Sequence, residues 1–261
     1  MDDQFEDFSE RQREILSRVR AEGHGTIEAF SRQFGVSPQT VRRDVNILCE
    51  AGVLRRVHGG VEPPSSGNLL YSSRRVLNGA AKLFIARAFA THVESGQSLA
   101  VSIGTTPEFA VQALSGLSDL TILTNNLNIA VSACDRDSWT LQVPGGLVRA
   151  GDRDILGPET EAFFDRYQVD IGVFGVAGVA EDGTLLDFTE SEVASRMAIL
   201  RNCRRSFLLL DRTKFGRAVH VRGGHISDVS HVICDAPLPG KIAGLLAGSE
   251  TRVTIASGDR A

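Results

Sequence analysis

Gln39, Arg42, Arg43 and Asn46 recur at i, i+3, i+4 and i+7, which on a helix lines them up along one stripe. Two N–H groups of an arginine match O6 and N7 of guanine, and a glutamine or asparagine amide pairs with N6 and N7 of adenine. A helix carrying this stripe can therefore read base edges in a major groove. A charged helix face is more often simply solvated, so the surrounding elements decide. A second set of residues suits anions: Gly104-Thr105-Thr106 before Pro107 offers hydroxyls and close backbone approach, and Lys214 supplies a cation.

The elements around the first set can hold it. Ile27, Phe30 and Phe34 form an apolar stripe that ends at Gly35, a residue free to turn left-handed. Ser37 is an N-cap type and Pro38 suits the first helical position, so a second helix starts here. Val41, Val45 and Leu48 fall on its inner face, opposite Gln39, Arg42, Arg43 and Asn46. Val53 to Val61 then reads as a short strand pair turning near Gly59-Gly60, with Arg55, Arg56 and His58 beside the helix for phosphate contact. Together these elements predict a winged helix-turn-helix.

Glu62 to Asn68 has linker composition, and beyond it short apolar runs alternate with helical stretches. The expected strands are 98–103, 120–124, 140–143, 169–176, 206–210, 231–234 and 253–255, with helices over 81–94 and from Pro107. Runs such as Phe207-Leu208-Leu209-Leu210 suit strands buried on both faces of a mainly parallel sheet. Ligands of such sheets sit at the carboxyl ends of the strands. Four loops lie there: Gly104-Thr105-Thr106, Thr124-Asn125-Asn126, 175–178 with Asp182-Gly183, and 211–217 with Lys214. As a phosphate cradle, Gly104-Thr105-Thr106 competes with a simpler role for Thr106 as a helix cap. Asp187, Glu190 and Glu192 suit hydroxyl recognition, or equally the dipole of a following helix.

Residues 11–62 resemble the reading head of the DeoR family of bacterial regulators, whose pattern is V-S-x-x-T-[IV]-R-R-D-L followed by H-G-G. This chain gives Val36-Ser37-Pro38-Gln39-Thr40-Val41-Arg42-Arg43-Asp44-Val45 and His58-Gly59-Gly60, with Val45 the conservative departure. Residues 74–256 resemble the family's sensor domain through Gly104-Thr105-Thr106, Thr124-Asn125-Asn126, Gly145-Gly146, Asp182-Gly183 and Asp211-x-x-Lys214-Phe215. That domain is similar in fold to ribose-5-phosphate isomerase and glucosamine-6-phosphate deaminase. The resemblance implies an α/β protein that binds operator DNA through Ser37, Gln39, Thr40, Arg42, Arg43, Asn46, Arg55, Arg56 and His58. It also implies a small phosphorylated effector held by Gly104, Thr105, Thr106, Asn125, Asn126, Asp182, Asp187, Glu190 and Lys214. Within the family the motifs sit nearest the branch that controls glycerol 3-phosphate metabolism, which favours glycerol 3-phosphate. Ser102 stands where the family commonly has Asp, and Thr184 stands where the deaminases carry His, which removes an acid–base partner. Binding without turnover is thus expected, against the alternative of an isomerase or deaminase using Asp182 as base.

Composition sets the outer limits. The chain of 261 residues is 42% hydrophobic with net charge −4, enough for one small and one medium domain. The acid balance sits awkwardly with a polyanionic partner, but residues 36–60 hold Arg42, Arg43, Arg55 and Arg56 against Asp44 and Glu50. So modest a patch implies that tight binding needs a homo-oligomer, at least a dimer, and the resemblance to the family implies a tetramer. The acidic opening residues and the lack of a long apolar run predict a cytoplasmic protein with no membrane contact. Cys49, Cys134, Cys203 and Cys234 are scattered singly, which predicts reduced, mostly buried packing residues with no metal site. No cofactor is expected. The expected domains are 9–62, a linker over 63–73, and 74–261.

Overall fold

A computed structural model describes residues 8–50, 53–57, 59–62 and 71–256. The chain divides into two compact units, Met1–Gly79 and Ala80–Ala261.

The first unit opens with α1 (Glu10–Glu22), begun by a capping box in which Ser9 and Gln12 satisfy each other's amides and ended by Gly23 at φ 77°. β1 (Gly25–Thr26) leads into α2 (Ile27–Phe34), which Thr26 caps and Gly35 terminates at φ 62°. α3 (Pro38–Glu50) follows, then β2 (Arg55–Val57) and β3 (Gly60–Glu62). The wing gains a strand that periodicity did not show: the sheet order is β1-β3-β2, antiparallel throughout. Gly60 is required where β1 and β3 meet, because a Cβ there would lie 2.3 Å from the Gly25 carbonyl oxygen. Ile15, Leu16, Phe30, Val41, Val45 and Leu48 close the core.

α4 (Tyr71–Val76) forms where the end of the linker was expected, and Leu77 packs against the core of the first unit, so that unit extends past residue 73. The rest of the expected linker, 63–70, lies outside the described residues. Asn78 takes a left-handed φ of 56°, a shape an asparagine tolerates, at the joint before α5 (Gly79–Ala90).

The second unit is a doubly covered parallel sheet. In chain order it contains β4 (Ser98–Val101), α6 (Thr105–Gln112), β5 (Thr121–Thr124), α7 (Leu127–Cys134), β6 (Thr140–Gln142) and a hairpin of β7 (Val148–Arg149) and β8 (Asp154–Ile155). Next come α8 (Pro158–Phe164), β9 (Val169–Phe174), β10 (Gly178–Val179), β11 (Thr184–Asp187), α9 (Glu190–Arg201), β12 (Cys203–Leu210), β13 (Val221–His225), β14 (His231–Cys234), α10 (Gly240–Ala247) and β15 (Arg252–Ile255). The main sheet runs β15-β14-β12-β9-β4-β5-β6 with every pairing parallel. Residues alternate between its faces: Leu99, Val101, Phe207 and Leu209 meet α5, α6 and α7, while Ala100, Leu208 and Leu210 meet α8, α9 and α10. Strand order reverses between β4 and β9, which opens the crevice such sheets use for ligands. β10, β11 and β13 form a separate antiparallel sheet. Its two- to five-residue strands were too short to register as a pattern.

The helix expected over 81–94 runs instead from Gly79 to Ala90, and the one expected from Pro107 starts two residues earlier. Of the cysteines, Cys234 is buried and Cys49 and Cys203 are half-buried, but Cys134 is exposed at the end of α7, which corrects the expectation of mostly buried thiols. Among the described residues no helix is long and apolar enough to cross a membrane.

His231, at the start of β14, stacks on Phe207 of β12 with ring centroids 5.2 Å apart and meets His92 edge-on at 4.7 Å. Burial, His92, Arg252 and Arg205 push the His231 pKa down to about 4, and burial with the same arginines lowers His92. A histidine depressed on folding stabilises the native state fully above its unfolded pKa of about 6.5 and loses that contribution as pH falls toward 4. Thermal midpoints should therefore fall as pH drops from about 6.5 toward 4, and His231→Gln should flatten the upper part of that slope, above the carboxylate range. An unchanged slope in the variant would assign the acid sensitivity elsewhere.

Candidate functional site

The reading stripe is displayed as its spacing predicts. Gln39, Arg42, Arg43 and Asn46 are all exposed, while Val41, Val45 and Leu48 beneath them are at most 1% exposed. Ser37 starts the helix by accepting the Thr40 amide on its hydroxyl at 3.2 Å, and the Thr40 hydroxyl sits 2.9 Å from it, so Thr40 is engaged at the helix start. Arg56 donates to the Asn46 side-chain oxygen, which ties the wing to the stripe and engages the acceptor end of the Asn46 amide. Arg55 lies in β2, its side chain outside the described residues, as is His58. Asp44 was not singled out as a candidate. It is buried, and accepts from Arg11 at 2.6 Å and Gln12 at 3.0 Å. That satisfied carboxylate locks α3 to α1, so the Arg42-Arg43-Asp44 run alternates outward readers with an inward anchor.

In the second unit four loops after strands are linked by direct contacts. Gly104, at φ 122°, begins α6, and Thr105 and Thr106 lie in its first turn, both buried. Thr106 is therefore not the helix cap, and Gly104 provides no side chain to cap it. The helix starts with its positive end at the carboxyl end of β4. Asn126 donates its amide to the Gly104 carbonyl at 3.3 Å while its oxygen caps α7. Gly175, after β9, lies against Pro107: a Cβ on it would sit 3.7 Å from the proline ring. Arg217 reaches the Ala177 carbonyl at 3.3 Å, which brings in the loop after β12. There Asp211 caps a short turn, Arg212–Lys214. Burial pushes the Asp211 carboxyl up, but Lys214, Thr213 and Lys82 outweigh it and hold the pKa below the usual carboxylate range.

The structure separates the remaining candidates. Asn125 donates to the Ile155 carbonyl at 2.9 Å and the Ser195 hydroxyl at 3.2 Å, which pins the β7–β8 hairpin. Asp187 is buried and occupied: it accepts the Ala177 amide at 3.1 Å and two N–H groups of Arg196, itself 1% exposed. Its place is to fix the loop after β9. Glu190 is exposed in the first turn of α9. Glu192 completes the capping box of α9 with Thr189 and meets Arg149 at 3.0 Å. Arg149 also grips Asp154 at 2.7 Å and so clamps the hairpin to α9, a network no local motif announces. Asp182 does not join the site. It stands exposed in the turn between β10 and β11, five residues from Asp187, on the order of 15 Å along the hairpin. The Thr184 amide and hydroxyl and Arg222 lower its pKa to about 2, which makes it a poor proton acceptor.

Two family models match the chain: a DeoR-like helix-turn-helix domain over residues 11–66 and a DeoR C-terminal sensor domain over 77–236. The chain belongs to the DeoR family. Several curated relatives bear the name glycerol-3-phosphate regulon repressor. That of Escherichia coli is 38% identical over 91% of this chain and 95% of its own length. That of Haemophilus influenzae is 36% identical over 95% of this chain and 97% of its own. Ribose 5-phosphate isomerase A of Methanocaldococcus jannaschii overlaps 54% of this chain and 56% of its own at 17% identity and a TM-score of 0.40. This DeoR-family chain is thus a DNA-binding transcriptional regulator with a small-molecule sensor domain, and not an enzyme.

Proposed function

We propose that this regulator represses genes of glycerol or glycerol 3-phosphate metabolism and is released from its operator by glycerol 3-phosphate. The observation that carries the reading is that the Gly104-Thr105-Thr106 helix start and the Lys214 loop both follow the carboxyl ends of parallel strands, β4 and β12, with the loop after the intervening β9 touching each of them. A dianionic phosphate meets a positive helix end there and a lysine beside it. The names of the relatives at 36–38% identity point to the same metabolite. Serving at DNA, the protein works in the cytoplasm.

Release requires the effector to bind the two arrangements of the protein unequally, with a coupling of about 1–3 kcal/mol. Each reading head offers few cations, so we take the working unit as at least a dimer on inverted half-sites about one helical turn apart. The test is release of a labelled operator by glycerol 3-phosphate, glycerol and hexose phosphates, run at several salt concentrations. Release by glycerol 3-phosphate and not by glycerol is expected, with affinity falling steeply as salt rises. Release by a hexose phosphate alone would move the effector. A monomer holding a single half-site tightly would overturn the oligomeric reading.

A further inference from the structure

The buried face of α5 consists of Lys82, Ile85, Ala86 and Phe89, so a single ionisable side chain lies among apolar ones. Lys82 is 4% exposed. An ammonium withdrawn from water is costly unless its surroundings compensate, which makes its destination informative.

Helix and strand geometry fix that destination. Phe89 meets Phe207 edge-on with ring centroids 5.3 Å apart, so α5 and β12 are level at that point. From Phe89 back to Lys82 the helix climbs about 10 Å at about 1.5 Å per residue. From Phe207 to Asp211 the strand climbs about 13 Å. Both residues thus reach the same end of the sheet, where Asp211 lies in the fields of Lys82 and Lys214 together. Through β9 the register sets Phe207 level with Val173 and Val173 level with Val101, so a climb of about 10 Å from that level reaches the residues that follow β4. Lys82 therefore stands at the level of the Gly104-Thr105-Thr106 helix start.

We propose that the Lys82 ammonium is a second cationic arm of the phosphate site, working with Lys214 and with Asp211 orienting both. This inference rests on the proposed function above. If packing alone set position 82, an apolar side chain would serve the buried face of α5, and buried ion pairs are often replaceable by such residues without loss. A phosphate dianion at the start of α6 gives the second ammonium its use. The consequence reaches beyond affinity: Lys82 lies one helical turn after the left-handed joint at Asn78, so a phosphate that holds Lys82 also holds the first turn of the helix that begins at that joint.

The test compares the full-length wild type with Lys82→Gln and Lys82→Arg, using glycerol 3-phosphate and glycerol as probes and the operator complex as readout. Lys82→Gln should need at least about tenfold more glycerol 3-phosphate for half-release, and Lys82→Arg should recover part of the loss. Half-release of Lys82→Gln at the wild-type concentration would overturn the proposal and leave the functional reading standing. A wild type that no phosphate ester releases would overturn both. Should the variants fold poorly, the 15N resonance of the Lys82 ammonium in the wild type decides: it should move with glycerol 3-phosphate and not with glycerol. A resonance that stays put under saturating glycerol 3-phosphate overturns the assignment.

Discussion

Arg42→Ala and Arg43→Ala are each expected to abolish or greatly weaken operator binding while leaving the response of the sensor domain to its effector intact. Both arginines are exposed on α3, beside Gln39 and Asn46, over a core that does not depend on them. A lost bidentate contact to guanine costs about 1–3 kcal/mol, and two copies of the head double the loss at a symmetric operator. The measurement is a gel-shift titration with the thermal midpoint of each variant as the folding control. Near-normal affinity in both variants would remove α3 from the groove. Asp44→Ala, next in sequence, provides the contrast: it frees Arg11 and Gln12 from their buried partner and so acts on stability first.

The reading head was legible in the sequence because each of its signals is local. Ser37, Pro38, Gly35 and the 41-45-48 stripe lie within fifteen residues of one another, and capping and periodicity act over that distance. β1 escaped because two residues, Gly25 and Thr26, carry no period, and their pairing with β3 is set by the close approach at Gly60. In the sensor domain the burial of 207–210 on both faces was readable, and with it the parallel sheet. The roles of individual loop residues were less so. Asp182 and Asp187 look alike in sequence, yet one is exposed beside Arg222 and the other is buried against Arg196. The difference comes from a long-range partner nine residues along for Asp187, on the next helix, and from a strand forty residues along for Asp182. Lys82 was hidden for the same reason: the buried face of its helix is otherwise apolar, and Asp211, whose charge faces it, is far away in sequence.

Thr106→Ala or Lys214→Ala should produce a super-repressor that holds its operator and no longer lets go when glycerol 3-phosphate is added. Thr106 lies in the first turn of α6 and does not cap it, so its hydroxyl remains to serve a ligand at the helix's positive end. Lys214 follows Asp211 in the turn that brings the loop after β12 to the same strand ends. Removing a donor to a charged group costs about 1.5–3 kcal/mol, which raises the effector concentration for half-release by roughly ten- to a hundredfold. Neither change touches α3 or the wing, so repression itself should persist. Glycerol should fail with the wild type as well, because the helix start would have no anion to receive. Titrating the labelled operator complex with glycerol 3-phosphate checks both substitutions against the same baseline. Release of both variants at wild-type concentrations would place the phosphate elsewhere, whereas a defect in Lys214→Ala alone would keep the cation and move the anion away from α6. The substitutions thus separate the two halves of the proposed cradle, the helix start after β4 and the lysine loop after β12, which follow strands on either side of β9.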